Sequence, residues 1–165
     1  MGAVNAAPRR VAGIVIASTR AAAGAYPDAS APLIGEWLAS RGFELLPAQI
    51  VPDGENVHDA LQRMLSQRPA VIITSGGTGL SADDLTPEMT RPLLEREIPG
   101  IMEAIRAAGS VKTPTAALSR GYAGVSGRTF VLNLPGSAGG IRDGLAVLAP
   151  MLEHICDQLE GSHEH

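Results

Sequence analysis

Residues 70–88 read AVIITSGGTGLSADDLTPE, and the two halves of that stretch follow different rules. Ala70–Thr74 is a short, unbroken apolar run rich in β-branched residues, the pattern of a strand covered on both faces in a parallel sheet. The chain then drops into glycines. Thr86-Pro87 reopens it as a helix, with threonine as the expected cap and proline at the first position. Strand, glycine loop and helix in that order make one βα unit.

Outward from it the unit repeats. Val11–Ala17 (VAGIVIA) reads as a buried strand. Ser30–Gly42 reads as a helix capped by Ser30 and stopped by Gly42. Phe43–Val51 returns as a strand, and Pro47 implies an edge position or a break there. Val57, Ala60, Leu61, Met64 and Leu65 occupy one helical face by their i, i+3, i+4, i+7, i+8 spacing. Pro99–Ser110 reads as a further helix, and Arg128–Ser137 as a late strand running into a second loop. Ile141, Leu145, Leu148, Leu152, Ile155 and Leu159 recur at three and four, with Pro150 marking a kink or break. Alternating β and α segments with buried strands predict an α/β domain with a mostly parallel sheet. One domain is expected over residues 11–160, with flexible tails at 1–10 and 161–165 and no internal repeat.

Composition narrows the function. The 165 residues are 45% hydrophobic and 18% charged, which excludes a disordered chain. A formal charge of −4 and no Lys/Arg-rich face argue against a nucleic-acid partner. An acidic chain can still hold an anion through local backbone N–H groups. Cys156 is the only cysteine, so no intrachain disulfide forms, as suits a reducing cytosol; on an apolar helix face it reads as a small buried hydrophobe. Arg9-Arg10 ahead of an apolar run imitates an export signal. The run is short and β-branched and charge returns at Arg20, so it is read as the first strand. Nothing approaches the ~20 apolar residues of a membrane span.

Chemistry in such a fold lies beyond the carboxyl ends of the strands. There TSGGTG (Thr74–Gly79) offers Gly76, Gly77 and Gly79 for consecutive N–H groups on one anion, and Ser75 and Thr78 for hydroxyls. It has neither the GK[ST] ending of a Walker A loop nor G-x-G-x-x-G spacing, and alone a plain glycine-rich turn explains it equally well. Asp83 and Asp84 follow. They would repel an anion unless Mg²⁺ lay between, the alternative being helix N-terminal capping. Asp53, in VPDGEN, either faces the same crevice or belongs to an ordinary Asp-Gly turn. In Leu132–Ser137 (LNLPGS), Asn133 can bond a ligand, Pro135-Gly136 fixes a turn and Ser137 leads a helix. Ser119 and Arg120 lie in TAALSRGYAG; the arginine is either a phosphate clamp or a surface ion pair.

Three segments, TSGGTGLSADDLTPE, ALSRGYAGVSGRTFVLNLPGS and RAAAGAYPDASAPLIGEWL, together resemble the molybdopterin adenylyltransferases, the Mog/MoaB and gephyrin G-domain group, from about Val11 to Leu159. The resemblance implies a three-layer α/β/α sandwich assembled as a trimer or in some members a hexamer; a cytoplasmic location is expected from the single cysteine. It implies Mg-ATP-dependent adenylylation of the molybdopterin phosphate with release of pyrophosphate, and hand-over of the product to a molybdate-insertion protein. On that resemblance Thr74, Ser75, Gly76, Gly77, Thr78 and Gly79, with Pro135, Gly136 and Ser137, hold the ATP phosphates. Ser119, Arg120 and Asn133 contact molybdopterin. Asp53 and Asp84 are catalytic, with Asp84 also the Mg²⁺ ligand. No side-chain nucleophile is needed, which suits the scatter of His58, His154, His163 and His165. One departure stands out: the family's first strand often ends in S-D-R, and here Ser18-Thr19-Arg20 lacks the acid. The alternative is a non-catalytic member that binds molybdopterin as a scaffold.

Overall fold

The computed structural model describes residues 8–161. Residues 1–7 and 162–165, with His163 and His165, lie outside that range.

The central sheet has the order β2-β1-β4-β7-β6-β5, with β3 also pairing β1. Its strands are β1 Val11–Ala17, β2 Glu44–Leu45, β3 Gln49–Val51, β4 Val71–Ser75, β5 Arg96–Glu97, β6 Ala123–Ser126 and β7 Thr129–Leu134. The pairs β1–β2, β1–β3, β1–β4 and β4–β7 are parallel; β5–β6 and β6–β7 are antiparallel. Its helices are α1 Thr19–Ala22, α2 Ser30–Ser40, α3 Glu55–Leu65, α4 Thr86–Thr90, α5 Pro99–Ser110, α6 Ala138–Leu148 and α7 Leu152–Leu159.

Strand alternation sorts the core into two layers. Ile14, Ile73 and Leu132 are register partners across the three central strands. They share one core with Ile34 of α2, Ile105 of α5, Ile141 of α6 and Leu152 of α7. Val15, Ile72 and Val131 face the other way, onto Val57, Ala60, Leu61 and Met64 of α3. The domain is therefore a three-layer α/β/α sandwich. On the α3 side the fit is close: a Cβ at Gly13 would come within 2.1 Å of the Met64 sulfur, so the fully buried Met64 fills the notch that glycine leaves.

Several sequence expectations shift on contact with the fold. Ser30 is the first helical residue rather than the cap; the Asp28 carboxylate accepts from the N–H groups of Ser30 (3.0 Å) and Ala31 (2.8 Å) instead. Thr86 likewise opens α4 and does not cap it: Leu85 holds the cap position with no side-chain bond, and the Thr86 N–H donates to Gly77 O at 3.0 Å. The run Phe43–Val51 is broken around Pro47 into β2 and β3, and Pro150 separates α6 from α7. Arg10 is no part of a free tail. Its guanidinium reaches Asp157 (2.5 Å) and Glu160 (2.8 Å) on and just after α7, tying the start of β1 to that helix. Cys156 is buried, and burial pushes its thiol up to about 11.

Candidate functional site

The carboxyl ends of β4 and β7 are neighbours, with Ser75 opposite Leu134. Each releases a loop at the same edge of the sheet. After β4, Gly76 and Gly77 adopt φ of 92° and 68°, which side-chain-bearing residues rarely take. The loop is also tightly surrounded. A Cβ at Gly76 would lie 2.3 Å from Ala17 O, and one at Gly77 2.2 Å from Thr86 Oγ1 and 3.1 Å from Asp53 Oδ1. The N–H of Gly76 donates to Leu134 O at 3.1 Å. Among the described residues the N–H groups of Gly77, Thr78 and Gly79 have no acceptor. After β7, Pro135 and Gly136 lead to Ser137, whose Oγ accepts from Gly140 N–H at 3.1 Å and caps α6. Ser75 Oγ donates to Pro135 O at 2.9 Å and joins the two loops.

The loops form adjoining walls of one cavity of about 740 Å³, a size suited to a cofactor-sized ligand. Gly76, Gly77, Thr78, Gly79, Pro135, Gly136 and Ser137 line it with Asp84 and Ser119. A smaller cavity of about 380 Å³ lies against Ser18, Tyr26 and Asp28 and shares Gly76 and Gly136 with the first. These two glycines are thus a common edge between two recesses.

The fold brings together nine of the predicted residues and separates the rest. Asn133 is fully buried: its Nδ2 donates to Thr74 Oγ1 (2.9 Å) and Thr90 Oγ1 (3.1 Å), and its Oδ1 accepts from Tyr122 N–H (2.9 Å). Asn133 and Thr74 therefore tie β4, β7 and α4 together from within the core. Arg120 is also engaged within the protein. Its Nε donates to Gly79 O (2.9 Å) and one Nη to Asp84 O (2.7 Å), and it pairs with Glu88. It clamps the glycine loop from outside. The hydrogen bond from Arg120 holds the Glu88 carboxyl below the usual carboxylate range.

Asp84 lines the larger cavity, with Oδ2 accepting from Ser81 N–H at 3.0 Å. Asp83 is exposed and outside the lining. Asp53 stands behind Gly77 rather than in the cavity wall. Its Oδ2 accepts from Thr19 N–H (3.2 Å) and Thr19 Oγ1 (3.0 Å), while its own N–H donates to Thr19 Oγ1 at 3.1 Å. Thr19, at the position where the resemblance implies an acid, is thus the partner of Asp53. Thr86 Oγ1, buried beside the same glycine, has no hydrogen-bond partner among the described residues. Sequence reading missed Arg106 of α5, Lys112 just after it and Asp143 of α6, which line the cavity. No motif joins them; they meet only because α5 packs on α6.

A family model described as "Probable molybdopterin binding domain" matches residues 13–154. The molybdopterin adenylyltransferase of Helicobacter pylori (strain J99) is 32% identical over 157 residues, covering 92% of this chain and 88% of the relative. A molybdenum cofactor biosynthesis bifunctional protein of Synechococcus elongatus is 38% identical over 150 residues, covering 90% of this chain; the chain spans 47%, about half, of that relative's length. Among solved structures, the molybdopterin biosynthesis Mog protein from Mycobacterium ulcerans superposes with a TM-score of 0.89 at 51% identity, covering 94% of this chain and 99% of that one.

Proposed function

This chain belongs to the family of probable molybdopterin binding domains, and we propose that within molybdenum cofactor biosynthesis it transfers AMP from ATP to the terminal phosphate of molybdopterin. One observation carries the proposal. Two glycine loops, joined by a hydrogen bond between residues 60 apart, adjoin in one cavity that also holds the Asp84 carboxylate.

The chemistry asks little of side chains. An oxygen of the pterin phosphate attacks the α-phosphorus of ATP, the bond from that phosphorus to the bridging oxygen breaks, and pyrophosphate leaves. Both reactants are polyanions, so positioning and charge neutralisation dominate. The unpaired N–H groups of Gly77, Thr78 and Gly79 bind the nucleotide phosphates, and the capped N-terminus of α6 adds a second positive end. Gly76 and Gly136, the common edge of the two recesses, are where nucleotide and pterin phosphates meet. Ser119 orients the pterin phosphate from the larger cavity.

The donor set fits Mg²⁺ of the kind that takes few protein ligands. Among the described residues no group of three or more His, Cys, Asp or Glu could cage a metal, while Asp84 has one oxygen free beside the phosphate-binding loop. Held by Asp84 and the substrate phosphates, Mg²⁺ would supply neutralisation of the charge building on the leaving pyrophosphate. Asp53, fixed by Thr19 against Gly77, orients the loop at the transfer point. We further propose a cytoplasmic homotrimer, or a hexamer, that hands adenylyl-molybdopterin to a molybdate-insertion protein. Among the described residues no helix is long and apolar enough to cross a membrane.

A second reading, a non-catalytic member that only holds molybdopterin, draws on the engagement of Asp53 by Thr19 and of Arg120 by the loop. The purified protein with fresh molybdopterin and Mg-ATP discriminates between them. Magnesium-dependent adenylyl-pterin and pyrophosphate are expected. Pterin binding without product would favour the scaffold, and neither would overturn both.

A further inference from the structure

The larger cavity changes character away from its glycine loops. There the wall carries apolar Ile105 and Leu118 and one carboxylate, Asp143, in the second turn of α6. Asp143 is 15% exposed, and its Oδ1 accepts from Lys112 Nζ at 2.5 Å, whereas the Lys112 side chain is 70% exposed. Asp143 Oδ2 accepts no hydrogen bond among the described residues. Arg106, the other cation in the lining, is engaged by the Ser119 carbonyl at 3.0 Å.

A mostly covered carboxylate in a cavity for polyanions is an electrostatic cost, because it repels the phosphates that the loops attract. Away from the metal position at Asp84, it suits a neutral region of the ligand that donates hydrogens. On a nucleotide, the neutral donors closest to the phosphates are the vicinal 2′ and 3′ hydroxyls of the ribose. A carboxylate accepts only, a diol donates twice, and Lys112 as counter-ion keeps the site's net charge from opposing entry. We infer that Asp143 accepts the ribose hydroxyls of the bound nucleotide, with Lys112 neutralising and steadying it. This rests on the nucleotide reading above and names the region of the nucleotide that the far wall recognises. The simpler alternative, an ion pair that only staples α5 to α6, gives no dependence on the sugar.

Calorimetric titration of the full chain with Mg-ATP and with 2′,3′-dideoxy-ATP tests it. The unaltered protein is expected to bind the dideoxy nucleotide about tenfold more weakly, the loss of a charge-assisted hydrogen bond. Asp143→Ala should weaken ATP by a similar factor and leave the two nucleotides equal. Lys112→Ala, which breaks the ion pair but keeps the carboxylate, should retain the preference for ATP. Equal affinities in the unaltered protein overturn the assignment without any variant, and so does an undiminished preference in Asp143→Ala. If the unaltered protein binds neither nucleotide, the adenylylation reading falls first and this one with it.

Discussion

The two glycine loops at the end of the sheet look alike in sequence and are built on opposite terms. In the loop after β4, Gly76 and Gly77 hold positive φ and have no room for a Cβ, with Ala17 O and Thr86 Oγ1 at 2.3 and 2.2 Å from where it would be. In the loop after β7, a Cβ at Gly136 would meet nothing nearer than 3.6 Å, and its φ is not positive. The constrained glycine there is Gly140, inside the first turn of α6, where a Cβ would come 2.5 Å from Pro135. The first loop is thus a backbone shape imposed by the packing behind it, while its other side faces the cavity. The second is an open turn that delivers a capped helix. Glycine in the first is a condition of folding; at Gly136 it leaves space for whatever lies between the recesses.

That contrast can be broken at five points. The largest effect is expected from Gly77→Ala, which adds about 1–2 kcal/mol of left-handed strain to about 1–3 kcal/mol of overpacking against buried Thr86. Urea unfolding should show about 3 kcal/mol lost, and an unchanged midpoint would mean the loop is not held by the contacts described. Asp84→Asn keeps an acceptor for Ser81 N–H but removes the charge. Turnover should fall about a hundredfold, as when one charge-stabilising group is lost, with the melting temperature nearly constant. Ser137→Ala removes the cap of α6 and should cost about 1 kcal/mol in the same unfolding assay.

Acid tests the clamp on the first loop. Glu88 has a folded-state pKa held down by Arg120, so its contribution is present above the unfolded value and is lost as pH falls through the folded one. Both groups are well exposed, so Glu88→Gln should only slightly flatten the acid side of the stability profile, read by thermal melts below pH 5. Gly136→Ala should move stability within about 0.5 kcal/mol. Any loss of substrate affinity it causes, read by titration, would sharpen its assignment as the shared edge.

Much of this was legible from residue order. The β4 run, the α3 periodicity, the break at Pro47 and the helix led by Ser137 all follow from local pattern, and the structure bears them out. Two kinds of feature were not. The antiparallel edge, β5 and β6, has only two and four residues, and its exposed charges and small side chains carry no strand signature. The roles of Thr74 and Asn133 depend on which face each presents. They are register partners on the face of Ile72 and Val131, which α3 and its neighbours cover, so they point beneath α4 and not out of the strand ends. Strand alternation contains that information, yet only with the covering helices assigned does it place these two side chains within the core. The Lys112–Asp143 pair spans 31 residues and depends on helix packing alone.

The notch at Gly13 has a consequence for chemical ageing. Met64 sulfur fills the space a side chain at residue 13 would need, and the residue is wholly shielded. In the folded protein the sulfur is therefore out of contact with peroxide in solvent. A thioether oxidised during synthesis or while unfolded would carry an extra polar oxygen that the notch cannot admit and the α3 layer cannot hydrate. Damage at this one atom is thus expected to depend on history: folding shields the sulfur, and oxidation before folding opposes closure of the layer between α3 and the sheet.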